Sequence, residues 1–497
     1  MTRFSENAIL LASNALRNPE SRIFKIGPSI IFERLWTKTG IRDVLKNLLR
    51  RRKFEFDVER AIYLTVLNRL LAPGSDRATE SWRKNYRIDG VQELSLHHLY
   101  RAMAWLGEVL PKKHQDGATP FAPRCVKDLV EEELFGRRRD IFSELDLVFF
   151  DTTSLYFEGA GGDTLGQYGH SKDHRSDLNQ MIVGVVLDGY GKPICCELWP
   201  GNVTDVKSLI PIVDRMRNRF AIGRICIVAD RGMISAKTVQ TLESKEYDMN
   251  YILGVRMRNQ KEVREDVIKN LSSFELVYPA RCKSKDPSPL KVKEVFLGDR
   301  RYIVCFNEEQ SRKDAHTRAA IIESLGEKIK NGAMSLVGNK GYRKYLSICK
   351  GGFEINTAKV EADARYDGLW VLRTNTNLSA ADTALRYKDL WRVERIFRDT
   401  KSLLKTRPIF HKYDETIRGH VFCSFLALIL MEELERELED AGYVFEWADV
   451  KRDLKSLVET EISYQGKSFV LRSECQGTCG KVFQSVGVAL PPTIRKA

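Results

Sequence analysis

The sequence predicts a mixed α/β protein, and three observations lead to that prediction. Residues up to about 140 have apolar side chains at helical spacing, short apolar runs bounded by turn residues begin near residue 145, and a mainly helical stretch extends from about 375 to 440. Such periodicity is the primary sequence signal for secondary structure. Between 145 and 255 the predicted order is β-β-β-α-β-α-β, which favours a mixed sheet flanked by helices.

The N-terminal part carries helix start and stop signals. Residues 57–71 (DVERAIYLTVLNRLL) have an acidic first turn and are followed by Pro73 and Gly74, which end a helix. Residues 94–110 repeat the pattern. A basic cluster at 50–53 lies between predicted helices, and it is typical either of a solvated face or of phosphate contacts.

The strand-rich part begins with the run LVFFD at 147–151. Two apolar runs, 181–187 and 194–199, flank the turn residues Asp188-Gly189-Tyr190-Gly191, which predicts a β-hairpin. An amphipathic helix is expected at 206–220, followed by a strand at 225–230. Ser235 is a candidate N-cap for a helix that ends near 245, and 251–255 predicts another strand.

Residues 256–365 interrupt this order. Runs at 292–296 and 302–306 predict a second hairpin, and a helix is expected near 314–331. The tail beyond 440 is mixed and gives little structural information.

The composition favours an anionic partner. The 497 residues are 43% hydrophobic, and 80 Lys+Arg against 67 Asp+Glu give a net charge of +13 and a pI near 9.1. Nucleic acid is the first candidate for such a charge and an anionic membrane surface the second.

No secretory signal is recognisable at the start of the sequence. The longest apolar stretch, 421–431, is too short to span a bilayer and predicts a buried helix. Cys475 and Cys479 form a lone C-x3-C pair without a nearby histidine, which argues against zinc. We therefore expect reduced thiols and a cytoplasmic protein.

Three acidic residues stand out as candidate metal ligands. Asp151 and Asp230 each end a short apolar run, and Glu394 lies in a basic helical segment at 387–401. A buried carboxylate is costly unless it is paired or binds a metal. Two divalent ions held by carboxylates can catalyse the cleavage of phosphodiesters.

The segment around Glu394 predicts one helix with a polar stripe. At about 3.6 residues per turn, Tyr387, Glu394, Arg398 and Lys401 share a face. The alternative is a solvated Glu394–Arg398 pair, worth only about 0.2–0.5 kcal/mol.

These residues resemble a family, the DDE transposases of bacterial insertion sequences, in the branch with a long insertion and a Y-x2-R-x3-E-x6-K signature. Tyr387, Glu394 and Lys401 match that signature, whereas its arginine position holds Leu390, with Arg392 nearby. Five further segments look similar: 149–154, 168–173, 200–205, 228–233 and 338–343.

The resemblance implies a ribonuclease H-like mixed sheet that is split by a β-rich insertion. The implied regions are a helical DNA-binding region at 1–140, the first part of the catalytic core at 141–255, the insertion at 256–365, the second part of the core at 366–440, and a C-terminal extension at 441–497 that contributes to dimerisation.

The resemblance also implies a chemistry and its partners. Asp151, Asp230 and Glu394 would hold two Mg²⁺ (or Mn²⁺) ions for cleavage and strand transfer of double-stranded DNA, at the inverted-repeat ends of the element and at its target. The implied DNA contacts are Tyr387, Arg392, Arg398 and Lys401. We add Arg231, for which a plain surface cation is an equal alternative.

A homodimer on DNA is expected, without a membrane partner, in the cytoplasm of a bacterium or archaeon and associated with the nucleoid. Two alternatives stay open. One is a ribonuclease H-like nuclease that cuts without joining. The other is an inactive, transposase-derived DNA-binding protein.

Overall fold

A computed structural model describes residues 20–119, 122–138, 147–220, 225–269, 273–278, 288–330, 344–349, 352–464 and 467–496. The similar segment at 338–343 and the start of the chain, to which the signal-peptide prediction refers, lie outside these residues. The chain divides into two units. The described residues of the first unit fall within 20–138, 151–220 and 392–496, and those of the second within 147–150 and 225–391.

The helices of the described residues, in chain order, are α1 (Gly27–Lys38), α2 (Ile41–Leu49), α3 (Val58–Leu71), α4 (Asp76–Trp82), α5 (Leu96–Leu106), α6 (Val126–Arg138), α7 (Leu209–Phe220), α8 (Ala236–Glu243), α9 (Glu308–Lys330), α10 (Thr357–Ala364), α11 (Ala380–Lys388), α12 (Trp391–Ser402), α13 (Asp414–Asp440), α14 (Trp447–Ser456) and α15 (Cys479–Val486).

The strands are β1 (Glu20–Lys25), β2 (Leu147–Tyr156), β3 (Gln180–Asp188), β4 (Pro193–Pro200), β5 (Cys226–Ala229), β6 (Asn250–Gly254), β7 (Glu275–Val277), β8 (Leu290–Leu297), β9 (Arg300–Phe306), β10 (Leu346–Cys349), β11 (Gly352–Ile355), β12 (Leu369–Thr374), β13 (Val458–Tyr464), β14 (Lys467–Arg472) and β15 (Ile494–Lys496).

A mixed sheet forms the framework of the second unit. The first residues of β2 pair with β5 in parallel, and β5 pairs with β6 in parallel. The sheet continues through β12, β9, β8 and β7, each antiparallel to its neighbour. Of the strands in the 256–365 region, β7, β8 and β9 therefore extend this sheet at one edge, whereas β10 and β11 pair with each other in a separate sheet. The side chains of β5 are all buried, as expected for a strand covered on both faces.

The strand β2 runs on into the first unit, where β3 is its neighbour in the sheet order and β4 is antiparallel to β3. The parallel β2-β5-β6 set together with this hairpin confirms the predicted α/β class with a mixed sheet flanked by helices. The first unit also contains a four-stranded sheet of order β1-β13-β14-β15, which joins the first described strand to the C-terminal part of the chain.

The helical core of the first unit centres on α13. Its apolar stretch at 421–431 is buried, which confirms the predicted buried helix. The helices α5 and α13 approach closely at two glycines. A Cβ on Gly107 would lie 2.0 Å from the Glu415 carbonyl oxygen, and one on Gly419 would lie 1.9 Å from the Met103 carbonyl oxygen. Within the described residues, no helix combines the length and apolarity needed to cross a membrane.

A buried ion cluster links α6, α7 and β4 in the first unit. Its cations are Lys127, Arg215 and Arg219, and its acids are Asp128, Glu131 and Glu197. No side chain of the cluster is more than 3% exposed. Burial alone would raise the pKa of Asp128, but the charges of Lys127, Arg219 and Arg215 outweigh burial and hold that pKa below its ordinary value.

Local signals in the sequence are confirmed at several positions. Both predicted hairpins form, as β3-β4 and β8-β9. The Ser235 side chain accepts a hydrogen bond from the Thr238 N–H at the start of α8, and Asp57 caps α3 through the Arg60 N–H. These features depend on neighbours in sequence, which explains why they were predictable.

The prediction of a single helix at 387–401 is wrong, because the segment forms two helices. The helix α11 ends at Lys388, a turn occupies 389–390, and α12 begins at Trp391. Asp389 and Leu390 are neither proline nor glycine, so no local residue marks the break. Leu390 is buried, and a tertiary environment of this kind overrides helix propensity. Tyr387 therefore does not share one helix face with Glu394.

Candidate active site

Asp151 lies in β2, directly after the buried residues Leu147–Phe150. Its side chain is 18% exposed, and its Oδ1 accepts a hydrogen bond from the Thr152 N–H at 2.6 Å. The carboxylate is thus held by the backbone of a rigid strand while part of it remains open to solvent. Strand placement of this kind gives a catalytic group a fixed position.

A lysine and a second acid surround Asp151 within the first unit. The Lys172 Nζ lies 3.9 Å from the Asp151 Oδ1 and 3.2 Å from the Asp205 Oδ2. It also donates to the Thr152 carbonyl oxygen at 2.6 Å, and the Thr152 hydroxyl donates to Asp205 at 2.6 Å. An ammonium group between two carboxylates offsets their mutual repulsion.

Asp230 follows β5 in the second unit. Ala229, the residue before it, pairs with Phe150, the residue before Asp151. The Tyr387 hydroxyl donates a hydrogen bond to the Asp230 Oδ1 at 3.0 Å. Gly254 makes room for this contact, because a Cβ at that position would lie only 2.3 Å from the Tyr387 hydroxyl oxygen.

Asp230 also lines an open cavity of about 350 Å³ together with Arg231, Arg256, Arg258 and Asn259. The Arg256 guanidinium donates to the carbonyl oxygens of Arg231 and Gly232, at 3.1 and 3.0 Å, and so fixes the turn after Asp230. Arg258 forms an ion pair with Asp363 at 2.8 Å, and exposed Arg231 adds a further positive charge beside the Asp230 carboxylate.

Glu394 lies in the first turn of α12, in the first unit, and its side chain is exposed. No ion pair involves Glu394 among the described residues, so the alternative of a Glu394–Arg398 pair does not form. Contacts on the other faces of α12 hold the helix in place. Val393, Ile396 and Phe397 are buried, and Arg395 forms ion pairs with Glu432 and Glu435 of α13.

The three predicted acids are distributed over both units: Asp151 and Glu394 belong to the first and Asp230 to the second. Among the described residues, one group of three His, Cys, Asp or Glu side chains has ligand atoms within 4.8 Å of one another, and it consists of Asp76, His411 and His420. The three predicted acids are not part of it.

The Asp76–His411–His420 group is a buried hydrogen-bond network. The Arg69 Nη2 donates to the His420 Nδ1 at 2.7 Å, and the His420 Nε2 donates to the Thr406 carbonyl oxygen at 3.1 Å. Burial lowers the pKa of both histidines, which favours their neutral forms. The nitrogen that a metal would need is already bonded to a guanidinium.

A comparison with known protein families shows to which family the chain belongs. The family model described as the transposase DDE domain matches residues 143–430. The chain belongs to this transposase family. Asp151, Asp230 and Glu394 all fall within the matched residues.

Comparisons with individual proteins add little to this assignment. Among solved structures, the transposase is similar to the piggyBac transposase in a synaptic complex with hairpin DNA. The two chains are 14% identical, the match covers 86% of this chain and 79% of that chain, and the TM-score is 0.43. No curated protein matches the transposase.

The candidate DNA contacts of the transposase differ in their accessibility. Arg398 and Arg231 are exposed. Lys401 instead donates to Asp173 at 2.7 Å with a side chain that is 13% exposed, and burial lowers its pKa. The Arg392 Nη1 donates to the Tyr190 carbonyl oxygen at 2.6 Å. Roles for these residues in DNA binding stay predictions, and Arg398 and Arg231 are the more accessible of the four cations.

Sequence reasoning assigned no role to several residues near the acids. Lys172 and Asp205 contact the Asp151 region, while Asp173 binds Lys401 and Arg407. The signal was present, because two of the similar segments, 168–173 and 200–205, contain these residues. Only the fold shows that both segments converge on β2.

The Tyr387–Asp230 hydrogen bond leads to a testable prediction. Removing the hydroxyl (Tyr387→Phe) leaves the ring in place but frees the Asp230 carboxylate to rotate. Partners that orient a metal ligand typically contribute about 10–100-fold in metal affinity or activity. We expect the Mg²⁺ concentration for half-maximal DNA cleavage to rise by a factor in that range.

The matched control is Tyr247→Phe, a tyrosine of the same unit outside the cavity. An unchanged Mg²⁺ dependence in Tyr387→Phe, with reduced binding of end DNA instead, would contradict the orienting role. That result would favour the phosphate contact implied by the family signature.

Proposed function

We propose that this transposase binds the inverted-repeat ends of an insertion sequence and catalyses metal-dependent DNA cleavage and strand transfer. The observation that carries the proposal is the order of three carboxylates within the matched DDE domain. Two of them follow the paired residues Phe150 and Ala229 of adjacent parallel strands, and the third is exposed on a helix. Asp230 lies at the carboxyl end of β5, where ligands of α/β sheets typically bind, and Asp151 lies within β2 directly after its last residue paired with β5.

The donor set fits Mg²⁺ or Mn²⁺. Asp151, Asp230 and Glu394 offer only carboxylate oxygens, which such hard cations prefer. The structural support is accessibility: Asp151 is partly exposed, Asp230 lines an open cavity, and Glu394 is exposed. In this proposal the three acids would together hold two ions, which would supply an activated nucleophile and stabilise charge on the attacking and leaving oxygens.

The reaction consists of two displacements at phosphorus. In the first, a water oxygen forms a new bond to phosphorus, and the 3′-oxygen of the element end leaves as a hydroxyl. In the second, that hydroxyl attacks a phosphate of the target, and a 3′-oxygen of the target leaves. Exposed Arg398 and Arg231 would hold phosphates during both steps, while Tyr387 orients Asp230.

The partner is double-stranded DNA, at the element ends and at the target. The net charge of +13 supports a polyanion, and affinity should fall steeply with salt because cations on DNA are displaced. Coordinated cutting of two ends requires at least two copies, so we propose a homodimer on DNA. We place this complex in the cytoplasm, on the nucleoid.

The decisive experiment uses the DNA that flanks the gene. Imperfect inverted repeats in that DNA would supply the substrate. The purified full chain is mixed with labelled end DNA, first with Ca²⁺ for binding and then with Mg²⁺ for cleavage, and pre-cleaved ends are tested for joining to a plasmid. We expect binding, metal-dependent nicking and joined product.

Each other outcome assigns a different function. Cleavage without joined product would favour a ribonuclease H-like nuclease. Binding of end DNA without nicking in Mg²⁺ or Mn²⁺ would favour an inactive DNA-binding protein derived from a transposase. Absence of end binding would overturn the proposal.

A further inference from the structure

The loop between α12 and α13 presents two aromatic rings to solvent. We call residues 405–413 the aromatic loop. Phe410 is 65% exposed and Tyr413 is 66% exposed. Exposed apolar side chains that occur singly need no explanation, but two on one short loop mark a candidate interaction surface.

The backbone of the aromatic loop is firmly anchored. The Ile409 N–H donates to the Tyr156 carbonyl oxygen at 3.1 Å, and the Glu158 N–H donates to the Ile409 carbonyl oxygen at 2.9 Å, so that the loop lies alongside the end of β2. The Ile409 side chain is fully buried. The rings are therefore held outward by a fixed backbone.

Alternation along residues 409–412 explains why Phe410 faces outward. Ile409 and His411 face the interior, where the His411 Nε2 lies 3.0 Å from the His420 Nδ1. Phe410 and Lys412 are exposed between and after them. A period of two is the pattern of an extended chain, so Phe410 lies between two inward side chains. Tyr413, directly before α13, departs from this alternation and is exposed next to Lys412.

The charges around the rings favour an anion. Lys405 and Lys412 are exposed on the loop. The acid that follows Tyr413 is occupied, because Asp414 accepts a hydrogen bond from the Thr164 N–H at 3.2 Å and lies 3.6 Å from the Arg418 Nη2. Two exposed acids, Glu158 and Glu415, lie beside the loop, whereas residues 405–413 themselves contain cations and no acid.

We propose that the aromatic loop binds an unpaired segment of a DNA strand, with Phe410 and Tyr413 stacked on bases and Lys405 and Lys412 on phosphates. Aromatic stacking combined with cations is the means by which proteins hold single strands without base-specific contacts. This inference rests on the proposed function and deepens it, because the loop follows the helix that carries Glu394, one of the acids proposed to cut DNA.

The test measures binding with catalysis excluded. The full chain, in Ca²⁺, is titrated against end DNA that carries a short unpaired 3′ tail with 2-aminopurine at its base positions, and against the blunt duplex. Quenching or enhancement of the 2-aminopurine fluorescence reports stacking. Phe410→Ala and Tyr413→Ala are compared with Tyr190→Ala, which removes an 84% exposed aromatic side chain elsewhere in the same unit.

Each alanine variant of the loop is expected to bind the tailed DNA roughly 5- to 100-fold more weakly and to lose its fluorescence change, since stacking contributes about 1–3 kcal/mol per base. Blunt-duplex binding and the Tyr190→Ala variant should be unchanged. Phe410→Trp should restore both signals, because it replaces one stacking ring by another.

Three outcomes would overturn the inference. If the wild type binds end DNA and the loop variants bind the tailed DNA equally well, the aromatic loop has no such role while the proposed function stands. If the variants change the oligomeric state without DNA, the surface is a contact between copies of the chain. If the wild type binds no end DNA, the proposed function fails together with the inference.

Discussion

Replacement of Asp230 by asparagine (Asp230→Asn) is expected to lower DNA cleavage by roughly 10³-fold, the magnitude typical of removing a group that stabilises transition-state charge. The amide keeps the shape of the side chain and can still accept the hydrogen bond from Tyr387. It lacks the negative charge that a divalent cation requires. Binding of end DNA should stay within a few fold, because phosphate contacts dominate affinity.

The measurement compares the single-turnover cleavage rate with the dissociation constant for end DNA. Asp299→Asn is the matched control, because Asp299 is an exposed acid of the same unit in the turn between β8 and β9. Its cleavage rate should equal that of the wild type. Normal cleavage by Asp230→Asn would show that this residue is not one of the catalytic acids, and the proposed set of three would have to be abandoned.

The second large effect concerns stability. Arg219→Met is expected to lower the free energy of unfolding by about 3–5 kcal/mol, the usual cost of removing one partner from a buried ionic network. The Arg219 side chain is 1% exposed and contacts Glu131 at 3.0 Å, Asp128 at 3.4 Å and Glu197 at 3.5 Å. Its loss leaves these acids with an excess of buried negative charge.

Urea unfolding followed by circular dichroism measures this effect. The control is Arg137→Met, whose partner Asp43 lies 3.4 Å away on the surface and whose side chain is 44% exposed, so we expect a change of only ~0–1 kcal/mol. Neutralising an acid together with the arginine (Arg219→Met with Glu131→Gln) should recover part of the loss. Equal stability of Arg219→Met and Arg137→Met would show that the cluster is not a stabilising network.

The aromatic loop and the arginine-lined cavity beside Asp230 suggest a division of labour in DNA binding. The cavity belongs to the second unit and includes exposed Arg231, for which a phosphate contact stays a prediction. The loop belongs to the first unit and offers stacking rings. Phosphate contacts position DNA, whereas stacking distinguishes an unpaired strand from a duplex.

Local patterns were sufficient for much of the secondary structure. The Ser235 cap, the hairpin around Tyr190 and the burial of α13 were all predicted, because each depends on residues close in sequence. The break between α11 and α12 was not predicted. No residue at 389–390 disfavours a helix strongly, and the buried position of Leu390 depends on contacts that the sequence does not display.

The side chains that surround the three candidate acids were harder to predict than the secondary structure, because they depend on the fold. Lys401 matched a family signature that implies a DNA contact, yet the fold pairs it with Asp173, which is 228 positions away. Lys172 and Asp205 lie in segments that resemble the family, but their approach to Asp151 requires two loops to meet at β2. Contacts over such separations are set by how the strands and helices pack.

The sequence by itself determined the α/β class and the succession of most strands and helices, whereas the catalytic role of the three acids stays a prediction. The class and the succession follow from periodicity and turn chemistry, both of which act over a few residues. Only the tertiary structure decided that Tyr387 donates to Asp230, that Glu394 is exposed, and that Phe410 and Tyr413 face solvent on an anchored loop. The physical reason is that the partner and the exposure of a side chain depend on which distant segments share its neighbourhood.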